Sequence, residues 1–407
     1  TIMTVAQGIN KITAYKAQTG LGVPAIGAGG QILRRKTSIA ETNRASYTND
    51  EIVQHQQSTG VNLGTASSSW NFDGLLSPGT YSGLIAGLLR KIFTATAALT
   101  TLSLTIAGAG PFTITRGAGD FLAGGVKIGD VVRITAGAFT NPVNLNNNFI
   151  VTAITATVLT VVTLNGTVLI AEGPIASSTV TVVGKKALVP LTGHTDTLFT
   201  IEEWYSDISK SEVYPDIRIG QMDVGLPASG NATVKLTAAG LGVRTAGVAQ
   251  AMTSPAAATT SPVLTAVRGV LLVNGAKNQV VTGITLSIKT SLTPEGPVVG
   301  SNYAPDMARG RIEVTGQFTA LFDSTTLRDM YDAETLTNLV AVMASDTTNT
   351  ADFVSFNLSA IKLTDAAPDD GEKAIIRTYP FTAQINAAGG AALANDQTIV
   401  SIQDSLA

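Results

Sequence analysis

One pattern occurs twice in this chain, and a compositionally different β-rich passage interrupts its first occurrence. An apolar strand ending in Trp70 and Phe72 leads into a helix predicted within LLSPGTYSGLIAGLLRK, Leu75 to Lys91. Paired strands follow around Asp216 to Leu226 and Ala232 to Leu241. In the second occurrence Phe318 and Phe322 accompany ALFDSTTLRDMYDAE, Ala320 to Glu334. Strands at Asp352 to Thr364 and Lys373 to Ile385 come next. The match is one of pattern, since few identities survive. A duplicated β unit without a visible catalytic constellation points to an assembly subunit. The expected fold is mainly β: two β-sandwich or barrel units, each with a flanking α-helix, plus an inserted small all-β domain.

The chain divides accordingly. Residues 1–35 form an N-terminal arm in which GLGVPAIGAGG, Gly20 to Gly30, is too glycine-rich for an isolated helix or strand. The arm is expected to order only against a neighbouring subunit. Residues 36–95 and 190–248 make the first unit. Ser77 is its expected helix N-cap, with Pro78 at the first helical position, and Tyr81, Leu84, Ile85, Leu88 and Ile92 share one apolar face. Residues 96–189 form the inserted domain, where alternating runs such as FIVTAITATVLTVVTL (Phe149 to Leu164) are separated by Gly and Asn turns, and Gly119, Gly125 and Gly129 allow tight turns within Ile114 to Gly137. A linker rich in Ala, Thr, Ser and Pro, 249–262, precedes the second unit, 263–407. There Val354, Phe356 and Leu358 alternate with Ser355, Asn357 and Ser359 as in a half-buried strand, and Asp323 or Ser324 caps the short helix.

Composition removes several function classes. A net charge of −3 offers no clustered cations to grip a nucleic-acid backbone. With no cysteine and two histidines, disulfides, thiol catalysis and most metal sites are excluded. No apolar run approaches the roughly 20 residues of a membrane helix, and TIMTVAQGINKITAY lacks a signal peptide's apolar stretch. The expectation is a soluble chain made in a cytoplasm, without membrane anchoring.

Candidate chemistry is sparse. Glu202 and Glu203, with Glu212 and Asp216, are the carboxylates one would pair for glycoside hydrolysis, but adjacent strand residues point to opposite faces. Asp365, Asp369, Asp370 and Glu372 resemble a calcium cluster and equally suit an Asp-Gly turn. Gly27, Gly29 and Gly30 do not form a phosphate loop. Ser77, His55 and His194 lack a nucleophile or base context, while Trp70, Trp204 and Tyr205 read as core or interface. No catalytic, cofactor-binding or metal residue is expected, and no cofactor.

The passages TVAQGINKITAYKAQTGLGVPAIGAGGQILRRKTS (Thr4 to Ser38), NDEIVQHQQ (Asn49 to Gln57) and LLSPGTYSGLIAGLLRK, with DDGEKAIIRTYPFTAQ (Asp369 to Gln384) and QTIVSIQDS (Gln397 to Ser405), together resemble the major tail tube protein of long non-contractile bacteriophage tails. Ile114 to Leu164 resembles a small β domain of phage structural proteins. The resemblance implies units whose inner sheets join into a cylinder, rings that stack, and genomic DNA passing down the bore without specific binding. It implies partners as well: further copies of the chain, and tape-measure, tail-tip and tail-terminator proteins. Two units per chain imply a trimeric ring with pseudo-sixfold symmetry, assembled in the host cytoplasm and residing in the virion tail. Small polar and acidic side chains are expected along the bore, the inserted domain outside, and Ala40 to Leu63 as a loop reaching the next ring. The competing readings are a secreted adhesin or surface-layer protein, with independent domains on a string, and a tail-associated hydrolase.

Overall fold

Alternation of apolar with polar residues decides how the long strands face. Within Thr233–Gly240, Val234, Leu236 and Ala238 are buried while Thr233 and Lys235 are exposed, the two-residue period of a sheet covered on one side. The computed structural model, which describes residues 5–277, 280–369 and 372–407, is mainly β. Seven antiparallel pairings link eight strands into one run. In order they are Thr37–Thr48, Val61–Leu75, Thr233–Gly240, Lys210–Pro227, Val281–Pro294, Met307–Leu321, Ile376–Ala383 and Phe353–Leu363.

The order of pairing inside this run repeats. In the first half a long hairpin, 37–48 with 61–75, precedes helix α1, Ser82–Leu89. Phe199–Tyr205, Lys210–Pro227 and Thr233–Gly240 follow, and the last returns to the hairpin's second strand. In the second half the hairpin 281–294 with 307–321 precedes α2, Thr326–Asp332. Thr337–Ala344, Phe353–Leu363 and Ile376–Ala383 follow with the same return. The ladders give matching positions: Phe72 faces Ser38 and Leu236, as Phe318 faces Ile284 and Tyr379. Irregularities also coincide. The register slips after Arg44 and after Thr290, and again between Phe199 and Ile201 as between Thr337 and Leu339; such bulges re-aim a strand and its side chains.

A back layer lies behind each half. Lys11–Ala17 pairs with Phe199–Tyr205, and Gly269–Val273 with Thr337–Ala344. Lys210–Pro227 serves both layers, pairing with the back strand up to Ile217 and with Thr233–Gly240 from Arg218. Between the layers one apolar core runs through both halves, from Trp70, Phe72 and Leu88 to Phe318, Phe356 and Tyr379. Domains strung independently would each have a core of their own, so this continuity departs from what an adhesin predicts.

Between Leu99 and Val182 six strands close into a barrel around Leu104, Ile114, Phe121, Ile134, Phe149 and Val161. Although it follows α1 in the chain, the barrel packs on the second half. Val131, Ile150, Leu164 and Val183 join Val270, Leu272, Val340, Val342 and Phe353 in one buried cluster. Both faces of Phe353–Leu363 are therefore covered, where a half-buried strand was expected. Asn357 Nδ2 donates to Ile128 O at 2.7 Å, and the Gln403 amide bonds Val131 N, Val131 O and Val183 O at 2.8, 2.9 and 2.7 Å. Gly129 turns here at φ +87°, and a Cβ on it would stand 2.5 Å from Asn357. The chain leaves the barrel through Lys185–Leu188, which pairs with Ser401–Asp404 and through it with Phe353–Leu363.

Several expectations are corrected. The arm does not wait for a neighbour: Lys11–Ala17 is a strand of the back layer, with Tyr15 edge-on to Phe199 at 5.8 Å. Gln31–Ile32 pairs beside it, and Gly27–Ala28 pairs with Met252–Thr253 of the linker. Ala40 to Leu63 contains the hairpin arms of 37–48 and 61–75 rather than one long loop. Ser77 and Pro78 lie in a turn before α1, where Ser77 Oγ and Thr80 Oγ1 bond at 2.7 Å. The helix starts at Ser82 and ends at a left-handed Arg90, φ +59°, too early to bury Ile92, which is 61% exposed. Thr325, not Asp323 or Ser324, occupies the N-cap position of α2 and makes no side-chain cap bond.

Candidate functional site

The uncovered face of the eight-strand run is largely polar, with exposed Ile39 on its first strand. One row of facing residues reads Thr37, Asp73, Lys235, Asp223, Ser287, Thr315, Thr382, Lys362. The next reads Ile39, Asn71, Thr237, Gln221, Lys289, Glu313. Hydroxyls and amides dominate, and charges alternate in sign between neighbouring strands, the stabilising arrangement for facing pairs. Asp223 is held by Ser287 Oγ at 2.6 Å and by Gln221 Nε2 at 2.8 and 2.9 Å; Thr37 Oγ1 donates to Asp73 at 2.9 Å. A depression of about 870 Å³ over these rows is lined by Lys36, Asp73, Asp223, Lys235, Gln317 and Thr382 among others. Its walls are those of a sheet surface rather than of an apolar cleft with a few convergent polar groups.

The middle of the run is a seam between the two halves, where Gln221–Pro227 pair with Gly283–Lys289. Beside it four charges interlock. Arg218 bonds Asp196 at 2.9 Å and Asp306 at 2.9 Å, and Arg309 bonds Asp196 at 3.0 Å. The hydrogen bond from Arg218 holds the Asp196 carboxyl below its ordinary range despite partial burial. Burial opposes the Arg218 charge, but Asp196 and Asp306 outweigh it and raise the guanidinium pKa. Arg90, at the end of α1, donates to Thr290 Oγ1 and Gly310 O, both at 2.6 Å.

The ends of the run are open. Among the described residues Thr37–Thr48 pairs on one side only. At the far end, the edge that continues Phe353–Leu363 runs to Ala367–Pro368, which among the described residues pairs only with Ile376–Ala383.

A second group of charges fixes the barrel. Lys186, its side chain 9% exposed, lies between buried Asp130 at 2.8 Å and Asp396 at 2.9 Å. Lys127 Nζ donates to the carbonyls of Gly390, Ala391 and Leu393 at 2.7, 2.5 and 2.6 Å. These are satisfied structural pins, as buried charges must be. Neither they nor the Asp196–Arg218 cluster were nominated from sequence. No local signal marked them: Lys127 and Asp130 stand among Arg116, Asp120 and Arg133, and the partners Lys186 and Asp396 lie far along the chain.

The nominated residues are separated. Glu202 accepts from Ser211 Oγ, Ala251 N and Met252 N at 2.6, 2.6 and 2.8 Å. On the opposite side Glu203 binds Lys11 at 2.5 Å and Ser38 Oγ at 2.9 Å. Glu212 meets Arg244 at 3.5 Å, and Asp216, left-handed at φ +58°, accepts from Gly22 N and Gln18 Nε2. Asp365 Oδ1 accepts from Ala366 N, Asp369 N donates to Ile376 O, Glu372 is exposed, and Asp370 lies outside the described residues. Among the described residues no three His, Asp or Glu form a metal-holding group. Trp70 is fully buried with Nε1 on Ser38 Oγ at 3.0 Å; Trp204 and Tyr205 face Ile12 and Lys11 in the back layer. His55 and His194 are exposed, and Gly27, Gly29 and Gly30 adopt positive φ beside the linker. Among the described residues no helix is long and apolar enough to cross a membrane.

Compared with protein-family models, residues 8–383 match the one described as phage tail tube protein. No curated protein matches the chain.

Proposed function

Because the chain belongs to the phage tail tube protein family, it is a structural component of a virion tail, and we propose that three copies close into a ring. In this reading the rings stack into a long non-contractile tube that conducts genomic DNA into the host. The tube units are 36–95 with 190–248, completed by the back strand Lys11–Ala17 from within 1–35, and 263–407, joined by 249–262. The insertion at 96–189 stands outside.

The seam between Gln221–Pro227 and Gly283–Lys289 carries this reading. One half already extends its sheet into the next half within the chain, and the same two kinds of edge stay open at the ends. Repeating the seam between copies removes both edges by closure. Twenty-four strands, spaced about 4.8 Å and tilted about 40°, enclose about 45 Å from backbone to backbone, room for a duplex. The polar face then lines the bore. To the small polar and acidic side chains expected there it adds cations, Lys235, Lys289 and Lys362, set among Asp73, Asp223 and Glu313. A balanced hydroxyl-rich wall offers no net field to trap phosphates. The loops 49–60 and 295–306, which expose Ile52, Val298 and Val299, reach toward the next ring.

The edge at Lys362–Pro368 is blunted: Ala366 N is engaged by its neighbour Asp365, and Pro368 has no N–H. Such an edge favours a free subunit in the host cytoplasm until a tail-tip or tape-measure protein nucleates growth, with a terminator protein ending it. Negative-stain electron microscopy of the purified chain, averaged down the tube axis, tests the ring. Hollow rings with three outer projections are expected. Six equivalent projections overturn the trimer, and a chain that stays monomeric at high concentration, even with tail tips added, overturns the tube.

A further inference from the structure

We infer that the seam between copies is locked by an ion pair between Arg44 of one copy and Glu334 of the next, a pairing chemically distinct from the seam inside the chain. This rests on the ring reading above.

The ladders supply the correspondence. Asp196 stands three residues before Phe199, which faces Ile217; Glu334 stands three before Thr337, which faces Ile361. Arg218 and Lys362 come directly after those two isoleucines. Each half thus carries the same internal ion pair, Asp196 with Arg218 at 2.9 Å and Glu334 with Lys362. In the first half the acid has a further cation from across the seam, Arg309 at 3.0 Å. In the second half Glu334 faces the open end, with its side chain 74% exposed.

The edge that would meet it has been altered to match. Arg309 is the third residue of Met307–Leu321, and the third residue of Val61–Leu75 is Leu63, which brings no charge. Asp306 is matched by Gly60, each just before its strand. Thr290, the last residue before its hairpin's register slip, is matched by Arg44. The cation has moved from the second strand of the hairpin to the first. Arg44 is exposed and makes no ion pair or side-chain hydrogen bond among the described residues.

Space for it exists only at the outer seam. Inside the chain the Thr290 position is occupied from across the seam by Arg90, which donates to Thr290 Oγ1. In the second half the matching place holds an acid: Glu334, left-handed at φ +51° as Arg90 is at +59°, closes α2 with Thr335 N on Met330 O as Lys91 N on Ala86 O closes α1. An arginine at position 44 therefore meets that acid across the outer seam, where Thr290 meets the Arg90 guanidinium inside the chain. Joined to the wrong partner it would meet Arg90 head-on. Attraction at one seam and like-charge repulsion at the other give the alternation its specificity.

The chain has no cysteine, so paired cysteines report the contact. Arg44→Cys with Glu334→Cys, treated with a short bismaleimide, should give denaturing-gel bands at two and three copies. Either single variant should stop at one linked pair or none. Asp196→Cys with Arg309→Cys calibrates reach by linking within one chain. As a second readout, Arg44→Glu should lower the fraction of chain in rings about tenfold, and Arg44→Glu with Glu334→Arg should restore it to within about twofold. If wild-type rings form and the calibrating pair links while the 44/334 pair does not, the ion pair is overturned and the ring stands. If wild-type chain with tail tips forms no rings, the ring reading falls and this inference with it.

Discussion

The two halves of the molecule share a ladder and differ in how its outer side is covered. In the first half that side presents Ala14, Thr200 and Glu202; the matching positions in the second are Leu272, Asn338 and Val340, since Ile201 faces Tyr15 and Tyr214 as Leu339 faces Val273 and Leu358. The polar side is covered by extended chain that brings N–H groups: Ala25 N donates to Thr200 Oγ1 at 2.8 Å, and Ala251 N and Met252 N to Glu202. The apolar side is covered by the barrel through Val131, Ile150, Leu164 and Val183. Buried acceptors need donors, whereas buried valines need only a matching apolar surface. One architecture thus takes a strap or a whole domain as its cover, according to a few outward residues.

Excising the barrel is the strongest way to break this comparison. Replacing 97–183 with a short Gly/Ser link exposes Val270, Leu272, Val340, Val342 and Phe353, each worth about 1.5–3 kcal/mol when buried. The soluble yield should fall to about a tenth or less. Adding Val270→Thr, Leu272→Thr, Val340→Thr and Val342→Thr should recover it. An excised chain that stays soluble with its melting temperature intact would show that the barrel covers nothing the sheet needs.

Next in size is the charge that pins the barrel. Lys186→Met leaves Asp130 and Asp396 buried without their cation, which should cost about 3–5 kcal/mol in urea unfolding. Lys186→Met with Asp130→Asn and Asp396→Asn should regain most of it; a single variant losing under about 1 kcal/mol would mean that water reaches the cluster. On the strap side, Glu202→Leu strands Ala251 N, Met252 N and Ser211 Oγ, for about 1–3 kcal/mol, and Glu202→Gln loses less. Protease cleavage within 249–262 should accelerate in the Leu variant, and equal cleavage in both would remove Glu202 from the strap's anchor.

The difference between the halves was only partly legible in the sequence. Phe72 and Phe318 before their helices, and the strand pairs after them, marked a repeated pattern because amphipathic alternation is local and each ladder position inherits it. Lys11–Ala17 escaped notice because the glycines after Tyr15 dominate that passage and the apolar residues of KITAYKA change phase at Ala14–Tyr15, leaving no clean two-residue period. Val340 and Val342 look like any strand valines, so nothing local says that a barrel inserted far upstream lands on them. The site was less legible still. Asp130, Lys186 and Asp396 meet only in three dimensions, and so do Asp196, Arg218, Asp306 and Arg309. Register across a seam is set by pairing that no single segment records.

Asp404 gives the finest comparison, because it is held as Glu202 is, by backbone donors, yet on the barrel's side of the molecule. It accepts from Gly79 N at 3.0 and 2.8 Å and from Leu406 N at 2.9 Å, tying the turn before α1 to the strand beside the barrel's exit. Burial raises its pKa to about 6, with Asp352 adding to the rise and the N–H donors only partly opposing it. The folded chain therefore keeps this proton up to about pH 6, while the unfolded chain releases it near the ordinary carboxylate value of about 3.9. Between those limits the native state binds more protons, so its contribution is present at low pH and is lost as pH rises from about 4 to about 6. Asp404→Asn should remove that slope: urea unfolding of variant and wild type should diverge in the variant's favour as pH increases across this window. Parallel curves would mean that the two N–H donors, Gly79 and Leu406, hold the carboxylate charged throughout.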